Sequence, residues 1–157
     1  MKKLLLCLVS LATMVMLLGC SVQNVEGSLE ELMEKIYAGA DVRYPITFTK
    51  AITPDMDPQN FIYNFGTSNI KFEEALVSDA MVMTTAHSVV LIRVSDNENV
   101  KALIDRIKKS EVGMKWICTG VPPNEVIVDN IGNLVVIIID KNNPTKPLHD
   151  SFKQLAQ

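Results

Sequence analysis

Six consecutive residues near the C-terminus, Leu134-Val135-Val136-Ile137-Ile138-Ile139, leave no polar position. A strand turns successive side chains to opposite faces, so a sheet with one wet face would carry a polar residue at every second place. The sheet that holds this run must therefore be covered on both faces, by helices or by a partner. The run is also the second arm of a hairpin. Glu125 to Asp129 forms the first arm, and Asn130-Ile131-Gly132-Asn133 joins them, with Gly132 free to take the left-handed conformation that a short loop needs.

The covering helices are legible upstream and downstream. Ser28-Leu29-Glu30-Glu31 is a capping box, in which the Ser28 hydroxyl and the Glu31 carboxylate each satisfy an orphaned backbone N–H. Leu29, Leu32, Met33, Ile36 and Tyr37 then fall on one stripe, and Gly39 supplies the stop. Val42 to Ile52 is extended, an edge piece bracketed by Pro45 and Pro54. Asp57-Pro58 opens a short helix over Pro58 to Phe65, closed by Gly66, with Phe61, Ile62 and Phe65 facing the core. Phe72 to Val77 and Val89 to Val94 read as strands joined through Met81 to Ser88. A second capping box, Ser95 with Glu98, opens a helix from Asn97 to about Lys109; Val100, Leu103, Ile104 and Ile107 line its inner face, and Lys101 pairs with Asp105 outside. A last helix starts near Thr145 and carries Leu148, Phe152 and Leu155 inward. The expected class is α+β: a mainly antiparallel sheet with a central β-hairpin, covered by about three amphipathic helices plus a short one.

The N-terminus is of another kind. Lys2 and Lys3 precede an apolar run from Leu4 to Leu18, then Gly19 and Cys20, which is the pattern of a secretory signal with a small residue at its cleavage site. The run is shorter than the roughly 20 residues a spanning helix requires. Leu17-Leu18-Gly19-Cys20 resembles the lipobox of bacterial lipoproteins. That resemblance implies cleavage after Gly19, diacylglycerol on the Cys20 thiol and a position at the outer face of the cell membrane. Two acyl chains hold durably where one does not, because each buried methylene contributes about 0.8 kcal/mol. Residues 1–19 are then a signal peptide, 20–27 the lipidated cysteine with a short polar tether, and 28–157 one domain. At about 3.3 to 3.6 Å per residue, Ser21 to Gly27 keeps that domain within some 25 Å of the membrane.

Removing residues 1–19 leaves 138 of 157 residues, enough for one core. Lys2 and Lys3 leave with the signal, so 13 basic residues face 18 acidic ones and the net charge moves from -3 to -5. Such a surface offers no basic patch to nucleic acid. Of three cysteines, Cys7 is discarded and Cys20 is lipidated, so Cys118 stands alone and the fold rests on packing without a disulfide.

Catalytic signatures are missing. The two histidines, His87 and His149, lie far apart without Cys or carboxylates at metal spacing, so neither a metal nor another cofactor is expected. Asp140 and Asn142 begin like a calcium loop, but Pro144 stands where an oxygen ligand belongs. His87 and Ser88 point to opposite faces of a strand and cannot form a dyad, and His87 reads as a residue at the strand's start bonded to backbone. Cys118, beside Trp116 and Ile117, reads as a small buried hydrophobe.

Ser28 to Tyr37, the run Ala86-His87-Ser88-Val89-Val90-Leu91-Ile92-Arg93-Val94, and Val128-Asp129-Asn130-Ile131-Gly132-Asn133-Leu134-Val135 together resemble a lipoprotein family. Its members are lipobox proteins, mostly of clostridia and related Gram-positive bacteria, that carry the domain of unknown function numbered forty-three fifty-eight. Over Ser28 to Phe152 the resemblance implies an exported, membrane-tethered α+β domain and brings no catalytic residue with it. The function expected is non-catalytic binding of an envelope protein or ligand, with contacts on loops, of which Val112 to Asn124 is the longest. The alternative is a cell-envelope cysteine hydrolase or transpeptidase using Cys118 and His87.

Overall fold

The computed structural model describes residues 24–116 and 118–157. The run that dominates the sequence forms β5 (Leu134–Asp140), and every residue of it is buried. Its odd-numbered members Val135, Ile137 and Ile139 enter one core, while Leu134, Val136 and Ile138 enter another. β5 lies between β3 (His87–Val94) and β4 (Ile127–Ile131) in a five-stranded antiparallel sheet. β2 (Phe72–Ala80) and β1 (Thr47–Ile52) complete it in the order β1-β2-β3-β5-β4. Both faces are covered by helices of the same chain. α1 (Leu29–Gly39) and α4 (Lys146–Gln154) take one face; α2 (Pro58–Phe65) and α3 (Val100–Lys108) take the other. The described residues therefore make an α+β domain of three layers.

Local chemistry sets most boundaries. At α1 the Ser28 hydroxyl accepts from the Glu31 N–H at 3.2 Å, while the reciprocal bond from the Glu31 carboxylate is not formed among the described residues. Gly39 is not the stop that its residue type suggests. It is the last helical residue, and a Cβ there would lie 2.2 Å from Ser151 Oγ, so glycine is needed for the close approach of α1 to α4. At α2 the Asp57 carboxylate accepts from the Gln59 N–H at 2.8 Å, and Gly66 closes the helix at φ 75°. Phe61 and Phe65 pack with Phe72, but Ile62 remains 44% exposed, because the α2 stripe turned to the core carries Phe61, Asn64 and Phe65 instead.

The expected capping box at Ser95 is replaced. Glu98 accepts instead from the Lys71 N–H and from Arg106, so the cap passes to Asn99, whose side chain accepts from the Ala102 N–H at 3.0 Å. Lys101 and Asp105 form no ion pair with each other. β4 and β5 meet at a two-residue turn, Gly132-Asn133, with Gly132 at φ 56°, so Asn130 and Ile131 belong to the ladder. β4 starts at Ile127, because Pro123–Glu125 is a 3-10 turn.

β2 and β3 run further than their apolar cores suggest, reaching Ala80 and starting at His87, so Ser78, Asp79, His87 and Ser88 sit inside the paired region. The polar connector is itself packed from Asn24 onward. Arg93 donates to the carbonyls of Val25 and Gly27 at 2.9 and 2.8 Å, and the Asn24 side chain accepts from the Asn133 N–H. Residues 24–27 thus sit at the Arg93 and Asn133 end of the sheet, opposite the Met81 to Ala86 connection.

Candidate functional site

Three polar side chains stand buried or nearly so where β2 ends, β3 begins and β5 ends. His87 stands opposite Asp140, and Ser78 stands opposite Val89, two residues along from His87, so all three face α1. His87 is fully buried; its Nδ1 lies 2.5 Å from Asp140 Oδ2 and its Nε2 2.8 Å from the Tyr37 hydroxyl. That hydroxyl is also 3.1 Å from Ser78 Oγ. The other Asp140 oxygen accepts from the Asn142 and Asn143 N–H groups at 2.8 Å, so one carboxylate ties β3 to the loop before α4. His87 is therefore bonded to side chains, not to backbone as its place at the strand's start suggests, because α1 delivers Tyr37 directly above it.

Burial alone would push the Asp140 carboxyl up, but the His87 ring and the Asn143 and Asn142 amides together outweigh it and hold the group below the ordinary carboxylate range. Burial raises the Tyr37 hydroxyl far above the usual tyrosine value; the Ser78 bond pulls back, and the charges of Asp140 and Asp79 push further up. Tyr44 leans on the His87 ring at 5.3 Å, and its own buried hydroxyl has no partner among the described residues.

Tyr37 and Ser78 reach a groove of about 350 Å³ between α1 and the β1–β2 edge. Met33 and Leu76 give it an apolar floor, Thr47 and Thr49 form its β1 side, and Glu30 and Glu34 stand on its α1 rim. The groove exists because α1 packs toward α4 and leaves β1 bare on this face. Its chemistry suits a ligand with an apolar part and positively charged or hydrogen-bonding groups.

The opposite face carries a separate network. Lys115 Nζ donates to Asp79 at 2.8 Å and to Ser88 at 3.1 Å, and lies near the rings of Tyr63 and Trp116. Burial lowers the Lys115 pKa, outweighing the Asp79 carboxylate beside it. His87 and Ser88 thus belong to networks on opposite faces, as strand alternation requires. His149, at 2.7 Å, and Lys153, at 3.3 Å, pair with Asp129 on the α4 surface.

Cys118 is exposed, not the buried hydrophobe its neighbours suggest. Trp116 fills the core position on the α2–α3 side. Both His87 nitrogens are taken by Asp140 and Tyr37, so neither is offered to this thiol. Val112 to Asn124 is also less of a free loop than its irregular sequence suggests. Val112, Trp116 and Val121 are buried, and the Val121 N–H bonds the Gly113 carbonyl at 2.9 Å. Among the described residues no group of three or more His, Cys, Asp or Glu could hold a metal ion, and no helix is long and apolar enough to cross a membrane. Gly19 and Cys20 lie outside the described residues.

Comparison of the chain with models of protein families, with curated proteins and with solved structures found no match.

Sequence reasoning singled out His87 and missed its partners Tyr37, Ser78 and Asp140, and missed Lys115 altogether. A usable signal exists in part: Ser78-Asp79, His87-Ser88 and Asp140 are the polar residues that end three apolar strands, and polar groups at such places need partners.

Proposed function

We propose that this chain is a lipid-anchored binding module at the outer face of the cell membrane, acting without covalent chemistry of its own. The anchor reading rests on Leu17-Leu18-Gly19-Cys20 and on the resemblance to the lipobox family. Asn24 is fastened at Asn133, and the four steps from Cys20 to Asn24 span at most about 14 Å, which would hold the Gly132–Asn133 end of the domain close to the bilayer. The observation that carries the binding reading is the groove beside α1, where an apolar floor, the Tyr37 and Ser78 hydroxyls and two rim carboxylates converge above a fully bonded His87–Asp140 pair. A hydrolase or transpeptidase using Cys118 and His87 would need the imidazole free to take the thiol proton, and both its nitrogens are engaged.

Two variants test this in the producing cell. Cys20→Ala is expected to lose incorporated fatty acid and the membrane-bound processed form; wild-type labelling and partition would overturn the anchor. Cys118→Ser is expected to restore a deletion strain as well as the wild-type chain does. If deletion changes the fragment profile of the envelope polymer and a folded Cys118→Ser chain fails to correct it, the thiol does chemistry and the non-catalytic reading falls.

A further inference from the structure

We propose that the free edge of β1 is a strand-addition site that takes an extended polypeptide segment of another protein, with basic and apolar side chains alternating along it. The inference deepens the binding-module reading and rests on it only for the claim that the partner lies outside the cytoplasm.

The backbone makes the first part of the case. The Met81 N–H bonds the Ile46 carbonyl at 3.0 Å, and the register pairs Thr47 with Ala80 and runs unbroken to Ile52 with Ala75. In an antiparallel ladder, facing residues alternate between pairs that exchange both hydrogen bonds and pairs that turn both groups away. Phe48, Lys50 and Ile52 therefore bond β2, while Thr47, Thr49 and Ala51 turn their N–H and C=O groups outward. Among the described residues nothing pairs with that outer side. Native edges are blunted by bulges, prolines, charged side chains or a covering helix; β1 has no bulge and no proline between Thr47 and Ile52, and its one charge, Lys50, lies on the face away from the groove. An added strand would gain up to six main-chain hydrogen bonds there, the basis of affinity in strand addition.

The two faces beside that edge supply specificity. Toward α1, every second side chain of an added strand would enter the groove whose charged lining is Glu30 and Glu34, with no basic residue among those that line it. Charge complementarity asks for Lys or Arg at those positions. The intervening side chains would lie on the other face, beside Phe48 and Ile46, 47% and 78% exposed. Met81 extends this surface from opposite Ile46, and Tyr63 approaches it through Lys115, which bonds Asp79 across from Phe48. These positions ask for apolar side chains. A second copy of β1 does not meet the requirement, since its groove-facing residues would be Thr47, Thr49 and Ala51, leaving Glu30 and Glu34 unmatched.

The probe is a fluorescein-labelled peptide, acetyl-Lys-Val-Lys-Val-Lys-Val-Lys-amide, titrated by anisotropy onto the full chain in zwitterionic lipid nanodiscs, with empty discs as the blank. Saturable binding is expected. Affinity should fall about tenfold in the Glu30→Lys/Glu34→Lys variant, stay unchanged in Lys35→Glu outside the groove, and be lost when alternate peptide amides are N-methylated. Thr49→Pro, which removes an outward N–H, should also abolish it; the N-methylated peptide gives the same information without relying on that variant's folding. No binding, or equal binding of the N-methylated peptide, overturns the proposal. A dimer of the chain that Thr49→Pro dissociates would assign the edge to a second copy and overturn it too. The same titration on the Cys20→Ala chain in detergent micelles is expected to give the same affinity, so failure here is separable from failure of the anchor.

Discussion

Ile137 and Ile138 are neighbours on β5 that enter different cores, and both are fully buried. Truncating each in turn to alanine weighs the two faces of the sheet separately. Ile→Ala removes three carbons, about 2.4 kcal/mol at about 0.8 kcal/mol per buried methylene, and the cavity left in a packed core raises the cost to about 3 to 4 kcal/mol. With a total stability of about 5 to 15 kcal/mol, either single variant should still fold. For a domain of this size each should melt roughly 10 to 15 °C below the parent. Urea unfolding followed by far-UV circular dichroism reads both, and Trp116 fluorescence reports independently on the α2–α3 side, where its ring is packed. The expected result is two similar losses with an unchanged denaturant slope. If Ile137→Ala costs about 3 kcal/mol and Ile138→Ala less than about 1, the face assigned to α1 and α4 is not closed and the three-layer argument fails.

A Cβ at position 39 would meet Ser151 Oγ at 2.2 Å but Ser151 Cβ at 3.4 Å, so Gly39→Ala should destabilise by about 1 to 3 kcal/mol and Ser151→Ala should restore most of the loss. Equal effects of Gly39→Ala in both backgrounds would refute the contact. The Asp140 carboxyl is depressed in the fold, so its ionised form contributes stability that is complete above the unfolded value of about 3.9 and lost as pH falls through the lower folded value. Asp140→Asn should therefore be less stable than the parent at pH 7 and lose less on acidification to about pH 3; parallel stability curves would refute the assignment. In a chain with Cys7 and Cys20 replaced, the exposed Cys118 should react fully with a maleimide without denaturant, and at the same rate when His87 is alanine. A need for denaturant, or a slower reaction in His87→Ala, would contradict the structure.

What was legible in the sequence follows the range of the interactions. Asp57-Pro58 and Gly66 set the ends of α2 through contacts within four residues, and the structure reproduces both ends. The apolar stripe of α1 and the two-sided character of Leu134 to Ile139 were likewise written in local periodicity. Gly39 misled because a glycine near a helix end signals a stop, whereas its actual constraint comes from Ser151, distant in sequence. Glu98 misled because Lys71 and Arg106 compete for its carboxylate. The groove was illegible for the same reason: it is defined by where α1 fails to cover β1, a property of packing that no single segment carries.

The polar end of the sheet has a bearing on how the fold chooses its register. β3 and β5 are apolar on both faces through their centres, so a one-residue slip between them would exchange one apolar face for another at little hydrophobic cost. The ends do not tolerate the slip. Moving β3 by one residue would place Ser88 opposite Asp140 and turn His87 away from Tyr37, and it would strip Lys115 of its Ser88 acceptor. Buried polar partners add little net stability over apolar substitutes, yet separating them strands a buried carboxylate or ammonium at a cost of about 3 to 5 kcal/mol. His87–Asp140 on one face and Lys115–Asp79–Ser88 on the other thus penalise the misregistered sheets more than they stabilise the native one. The separate register of β1 on β2 sets Thr49 opposite Ser78 and so fixes which hydroxyls the groove beside α1 presents.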